Sequence, residues 1–274
     1  MMKLSQRGEL IMKKKITAFL IAFVSLVSLI CVTQFSNVQT SKAATTSDPI
    51  FFVPGSYSDQ NSWDSMYQQL DPSNVHPVVK LNVAPNGAVT RTDVRAGNPG
   101  ERPFVTVAFD NILWNDDAVY ANAAGLQSAI QSYQAKDPFT HDDFVAQSNG
   151  GNIVTRYMEA YPSTACGTFI TVGTPYNMRA NNGDPADPLL ISQAAGAGRL
   201  NPSMKVYNVI GRNGDDTSTD TVVARESAMD GSHIFPGHTA SLTYLYLSGE
   251  DAIHCNQVSA PQMAQIISKY IDLN

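Results

Sequence analysis

Cysteine is scarce, with three in 274 residues, and only Cys166 and Cys255 lie beyond position 43. That excludes a small domain stapled by disulfides. Basic residues are also thin beyond that point. Positions 1 to 43 hold six of the 18 Lys and Arg but one of the 24 Asp and Glu, so the remaining 231 residues carry 12 bases, 23 acids and a charge of about −11. Such a balance disfavours nucleic acid and anionic membrane surfaces as partners. Beyond residue 48 there is no internal repeat, no low-complexity tract and no linker long enough to divide the chain.

What the first 43 residues do contain is a leader pattern. Lys3, Arg7 and Lys13 to Lys15 precede an uncharged apolar run from Ile16 to Val32, and a polar stretch ends in Ser41-Lys42-Ala43. Small residues after an apolar core are what a signal peptidase needs, so residues 1 to 43 are expected to be a secretory signal peptide, with an uncleaved anchor as the alternative. The protein is expected outside the cell, free or at the cell surface. The mature length suits one α/β domain over 44 to 274.

Ile50 to Val53 is wholly apolar and stops at Pro54-Gly55, as a central parallel strand buried on both faces would. A helix is predicted over Trp63 to Leu70, then extended segments Val78 to Val83 and Phe104 to Phe109, with Gly and Pro between them suggesting a hairpin-like excursion. Asp116 and Asp117 begin a helix with Val119, Ala123, Leu126, Ile130 and Tyr133 on one face. Further strands are predicted at Phe144 to Gln147, Phe169 to Val172, Lys205 to Ile210 and Leu242 to Leu247. A last helix starts near Pro261, with Ser259 as its expected cap. Strand and helix alternate, which predicts a mostly parallel sheet with helices on both faces and a site above the carboxyl ends of the strands. Cys166 lies before a strand and Cys255 after one, so the two belong to opposite ends of the sheet and are not expected to pair. The segment from 178 to 203, rich in Asn, Gly, Ala and Pro, is expected to form a small cap. Its Leu189-Leu190-Ile191 cluster either lines an acyl pocket or packs on the core.

The strand ends carry the chemistry. In Ala146-Gln147-Ser148-Asn149-Gly150-Gly151 a strand gives way through small residues to an amphipathic stretch. A serine at so tight a turn is held in a strained conformation with its hydroxyl exposed and the next N–H open to an anion. Alanine replaces the first glycine of the G-x-S-x-G elbow, and taken alone the five residues fit a surface loop equally well. A serine nucleophile needs a histidine base, an acid to orient it and donors for the oxyanion. His76 and His141 precede Ser148, and His233 and His238 lie before the last strand. His254 follows that strand and is the preferred base, with His238 in reserve. Among the acids after Lys205 to Ile210, Asp215 and Asp216 sit in a hydrophilic turn, whereas Asp220 precedes Thr221-Val222-Val223, which could anchor it under the site. Asp220 is preferred and Asp216 is second. The Asp/Asn/Gly turn lacks the alternating ligands and terminal Glu of an EF-hand. Backbone N–H groups of Asn149 and of Ser56, in the turn after the first strand, are the candidate oxyanion donors.

Together Ile50-Phe51-Phe52-Val53-Pro54-Gly55-Ser56, Ala146 to Gly151, Val172-Gly173-Thr174-Pro175-Tyr176-Asn177, Asp220-Thr221-Val222-Val223 and Ile253-His254 resemble the α/β-hydrolase family of Gram-positive, lactic-acid-bacterial-type cell-surface hydrolases. The resemblance covers nearly all of the chain beyond the leader. That family usually has His-Gly where this chain has Pro54-Gly55, and Gly-His-Ser-x-Gly-Gly where it has Ala146 to Gly151. The resemblance implies an α/β-hydrolase fold, a Ser148, Asp220, His254 triad and an esterase-like activity on small ester substrates, with no metal or organic cofactor. An acyltransferase or amidase using the same three residues, or a surface binding protein that keeps the fold without activity, are the competing expectations.

Overall fold

The computed structural model describes residues 47–178, 187–212 and 217–274. The predicted leader, residues 179–186 of the predicted cap, and Asp215 and Asp216 lie outside the described residues.

Eight strands form one sheet: β1 (Ile50–Val53), β2 (Val78–Val83), β3 (Val89–Arg95), β4 (Phe104–Phe109), β5 (Asp142–Gln147), β6 (Cys166–Val172), β7 (Lys205–Arg212) and β8 (Ser241–Ser248), in the order β3-β2-β4-β1-β5-β6-β7-β8. Every neighbouring pair is parallel except β2 with β3. The uninterrupted apolar run of β1 follows from its central place. Phe51 and Val53 enter one core, while Ile50 and Phe52 enter the other. With side chains alternating along a strand, only a strand covered on both faces reads as wholly apolar.

The helices divide between these two cores. On one face lie α2 (Asp116–Lys136), α3 (Asn149–Ala160) and α4 (Pro188–Gly196), which supply Val119, Leu126, Ile153, Val154, Leu189 and Leu190. On the other lie α1 (Asp64–Leu70) and, after the short α5 (Arg225–Met229), the C-terminal α6 (Pro261–Tyr270), which supply Met66, Tyr67, Met263 and Ile267. Each fully buried aliphatic or aromatic side chain contributes roughly 1.5–3 kcal/mol. Asn115 begins α2 by accepting the Ala118 N–H at 2.8 Å, ahead of Asp116 and Asp117 at the positive end of the helix.

Two sequence expectations change here. Val78–Val83 and Phe104–Phe109 do not pair as a hairpin; they are parallel neighbours, with Val78 opposite Phe104 and Val83 opposite Phe109. The hairpin partner of β2 is β3, which the reading of residues 85 to 103 as a turn missed. β3 is mostly exposed and carries Arg91, Asp93 and Arg95, the polar pattern of a sheet edge guarded against further pairing. The turn itself is short: Ala84 N–H donates to Ala88 O, and Gly87 takes a φ of 80°. Second, Ser259 does not cap α6; its hydroxyl donates to Asn256 O, and the Gln262 N–H donates instead to Asp251 Oδ2 at 2.8 Å. Of the two alternatives for the 189–191 cluster, core packing holds for Leu189 and Leu190 through α4, while Ile191 is exposed.

Candidate active site

Ser148 sits between β5 and α3 with φ 54° and ψ −132°. A non-glycine residue in that region is strained and persists where the surroundings over-determine it. Here the Ser148 N–H donates to Val172 O at 2.8 Å, which ties the turn to β6. The two glycines after it are required by contact. A Cβ on Gly150 would lie 2.5 Å from Val53 O, and one on Gly151 would meet the hydroxyls of Thr174 and Thr171. Ala146 is fully buried in the core, so the extra methyl at the first elbow position is packed and not in conflict.

His254 follows β8 after a 3-10 turn at Gly249–Ala252, and its N–H donates to Asp220 O at 2.8 Å. Its ring lies between the other two candidates: Nε2 is 2.9 Å from Ser148 Oγ, and Nδ1 is 2.7 Å from Asp220 Oδ2. Ser148, Asp220 and His254 are all buried. The Asp220 carboxylate is fixed by more than the histidine. Oδ1 accepts the N–H groups of Val222 and Val223 at 3.0 and 2.7 Å, closing a side-chain turn around Thr221, whose φ is 86°. Val223 alone is the buried anchor, packed near Ile210 and Ala228, while Val222 is exposed.

Two glycines clear the space beneath the histidine. On Gly173, at φ 56°, a Cβ would lie 2.8 Å from Asp220 Oδ2 and 3.1 Å from His254 Nδ1; on Gly211 it would lie 2.6 Å from the Asp220 Cβ. Both occupy strand ends, where a glycine carries no functional group and its need is set by what packs against it. Two glutamines were missed. Gln257 donates to Asp220 Oδ2 at 2.9 Å, and Gln147 Nε2 lies 3.1 Å from His254 Nε2 and donates to His254 O at 3.3 Å. Nothing in their local sequence marks them, because their partners lie 37 and 107 residues away in the chain.

The loop after β1 closes over the serine. A Cβ on Gly55 would stand 2.7 Å from the Ser148 Cβ. Ser56 Oγ donates to Leu113 O at 3.2 Å and accepts from Asn149 Nδ2 at 3.2 Å, so the two residues expected to supply oxyanion donors are linked. The remaining histidines have other surroundings. His76 is buried, stacked on Phe104 at 4.6 Å; His141 is exposed beside Asp48; His233 and the reserve candidate His238 are exposed. Cys166 is a buried free thiol in β6 and Cys255 an exposed one beside His254. Among the described residues no group of three or more His, Cys, Asp or Glu side chains is placed to hold a metal ion, and no helix is long and apolar enough to cross a membrane.

A family model described as alpha/beta hydrolase of unknown function (DUF915) matches residues 37–272. A solved protein from Lactobacillus plantarum WCFS1, provisionally named a cell surface hydrolase, superposes with a TM-score of 0.72 at 25% identity, covering 83% of this chain and 92% of that one. A gene product of Listeria innocua superposes at 0.71 with 20% identity, covering 82% and 94%. A lipase-esterase related protein of Clostridium acetobutylicum reaches 0.50 at 12% identity, covering 83% and 96%, a likeness of fold alone. No curated protein matches the chain.

Proposed function

The chain belongs to the alpha/beta hydrolases of the DUF915 family, and from that premise we propose that it is a secreted serine hydrolase acting as a carboxylesterase, with Ser148, His254 and Asp220 as its triad. One observation carries the reading: the His254 ring stands within hydrogen-bond reach of both Ser148 Oγ and Asp220 Oδ2, at 2.9 and 2.7 Å. These are the separations proton transfer through an imidazole needs.

The steps follow from the geometry. Asp220 holds Nδ1–H, which leaves Nε2 as the base facing the serine hydroxyl. Ser148 Oγ attacks the ester carbonyl as its proton passes to Nε2, and the Asn149 and Ser56 N–H groups receive the oxyanion. The alcohol leaves with the proton from His254, and water then repeats the sequence on the acyl-enzyme. The proposed export rests on the basic and apolar leader of residues 1 to 43, and one structural relative carries a cell-surface name.

The test is Ser148→Ala against a panel of nitrophenyl esters of rising acyl length. Loss of a triad member should reduce kcat by several orders of magnitude, on the order of 10⁴-fold or more. A fluorophosphonate probe should label the wild type on Ser148. A folded protein that takes up no adduct, or a Ser148→Ala variant that stays active, would overturn the assignment. An added alcohol acceptor separates hydrolysis from acyl transfer by its products.

A further inference from the structure

Beside Ser148 and His254 lies a cleft of about 570 Å³ lined also by Tyr57, Ser58, Asp59 and Ser62, with Ile112 and Val258 as its aliphatic side chains. We propose that this cleft takes the carbohydrate part of a short-chain acyl ester, with Tyr57 as the stacking platform and Asp59 as the acceptor for sugar hydroxyls. The proposal rests on the serine-hydrolase reading and names its substrate class.

Tyr57 is the first argument. The residue is 69% exposed, yet its backbone takes a φ of 59°, pinned by an N–H to Ile112 O bond at 3.2 Å. A bulky residue at positive φ is unfavourable, and strain of this kind gathers at ligand clamps. A residue lying mostly in solvent has no packing reason to accept it. Charge is the second argument. Among the described residues no Lys or Arg lines the cleft, and its carboxylate is Asp59, so none of these side chains would pair with an anionic substrate. Asp59 is held in place by its own turn. Oδ1 accepts the Asn61 N–H at 2.7 Å, and its N–H donates to Ser62 Oγ at 3.1 Å, so the carboxylate that lines the cleft is fixed by its own loop. Third, among the described lining residues one isoleucine and one valine stand beside four serines and a carboxylate, so hydroxyl-binding side chains outnumber aliphatic ones. A sugar ring, with apolar C–H faces and hydroxyl edges, matches an exposed aromatic beside serines and a carboxylate.

In the reaction the acyl–Oγ bond of Ser148 forms as the acyl–oxygen bond to the sugar breaks. The serine proton passes through His254 to the departing sugar hydroxyl, and water then releases the acid.

Acetylated xylooligosaccharides and 4-nitrophenyl acetate, assayed side by side with the full chain, test this. Wild type should release acetate from the oligosaccharide, and Tyr57→Ala and Asp59→Asn should each lower the ratio of kcat/KM for oligosaccharide over nitrophenyl acetate by about tenfold or more. Tyr57→Phe, which keeps the ring, should retain that ratio within about threefold. Cleavage of nitrophenyl acetate with no acetate released from the oligosaccharide overturns the proposal, as does an equal loss on both esters in Tyr57→Ala. Absence of any Ser148-dependent cleavage of either ester overturns the hydrolase reading beneath it.

Discussion

Gln257 and His254 share one oxygen of Asp220: Gln257 Nε2 donates to Oδ2 at 2.9 Å, and His254 Nδ1 faces the same atom at 2.7 Å. Gln257 also donates to Ala252 O at 3.2 Å, so it is tied to the turn that leads into His254. A donor to a buried carboxylate both satisfies its charge and fixes the plane in which the histidine meets it. Gln257→Leu should lower kcat by about 10- to 100-fold, the worth of one hydrogen bond to a charged group, with KM little changed. Steady-state kinetics on a nitrophenyl ester checks the split. A change confined to KM would remove Gln257 from the positioning of Asp220.

Asp142, at the start of β5, makes stability depend on pH. Burial lifts its carboxyl from 3.8 to about 7, and Asp143 and Asp48 push the same way against Arg102. The folded chain therefore keeps this proton between about pH 4 and 7 while the unfolded chain loses it, so stability falls as pH rises through that window and levels off above it. Glu159, raised by burial from 4.5 to about 7, adds a similar slope. Asp142→Asn removes the charge in a similar shape, and should raise stability at pH 8 by on the order of 2 kcal/mol while changing little at pH 4. Urea unfolding at the two pH values is the measurement.

Arg102 gathers three distant parts of the chain. Its guanidinium pairs with Asp143 Oδ2 at 2.8 Å, donates to Asp48 O at 2.8 Å and bonds Asp272 O. Because Asp143 is largely buried, removing its partner leaves an uncompensated charge. Arg102→Met should cost about 3–5 kcal/mol of stability. Asp143 is the second residue of β5, whereas Ser148 follows its far end, so kcat measured well below the unfolding temperature should be retained. Calorimetry paired with kinetics distinguishes the two effects.

Cys255 lines the cleft next to His254, whereas Cys166 is buried in β6, its thiol pushed up by burial. Of these two thiols, the folded protein should react with a maleimide at Cys255 and with both only after denaturation. A bulky adduct at Cys255 should block ester cleavage, and Cys255→Ala should make activity indifferent to the reagent. Mass spectrometry of the labelled peptides, with activity followed in parallel, decides it.

Much of this was legible in the sequence, for reasons of period and order. Apolar runs ended by Pro-Gly or Ser-x-Gly-Gly state that a strand is central and where it stops, and helices with apolar residues three and four apart state which face is buried. Chain order then selected Ser148, Asp220 and His254 from many serines, aspartates and five histidines. β3 escaped because an edge strand faces solvent and has no need of apolar alternation. Gln147 and Gln257 escaped because a glutamine's role depends on what stands opposite it.

The sequence by itself determined the local conformations: the strained elbow at Ser148, the helix stripes, and the positions of polar residues at strand ends. Only the tertiary structure decided the distances. Parallel strands align their ends through register, and that register places Ser148, Asp220 and His254 within hydrogen-bond reach although 106 residues separate the serine from the histidine. It also decided which glycines are indispensable, since Gly151, Gly173 and Gly211 are crowded by side chains from elsewhere in the fold. Backbone preference acts within a few residues, whereas contact between remote residues exists only once the sheet has assembled.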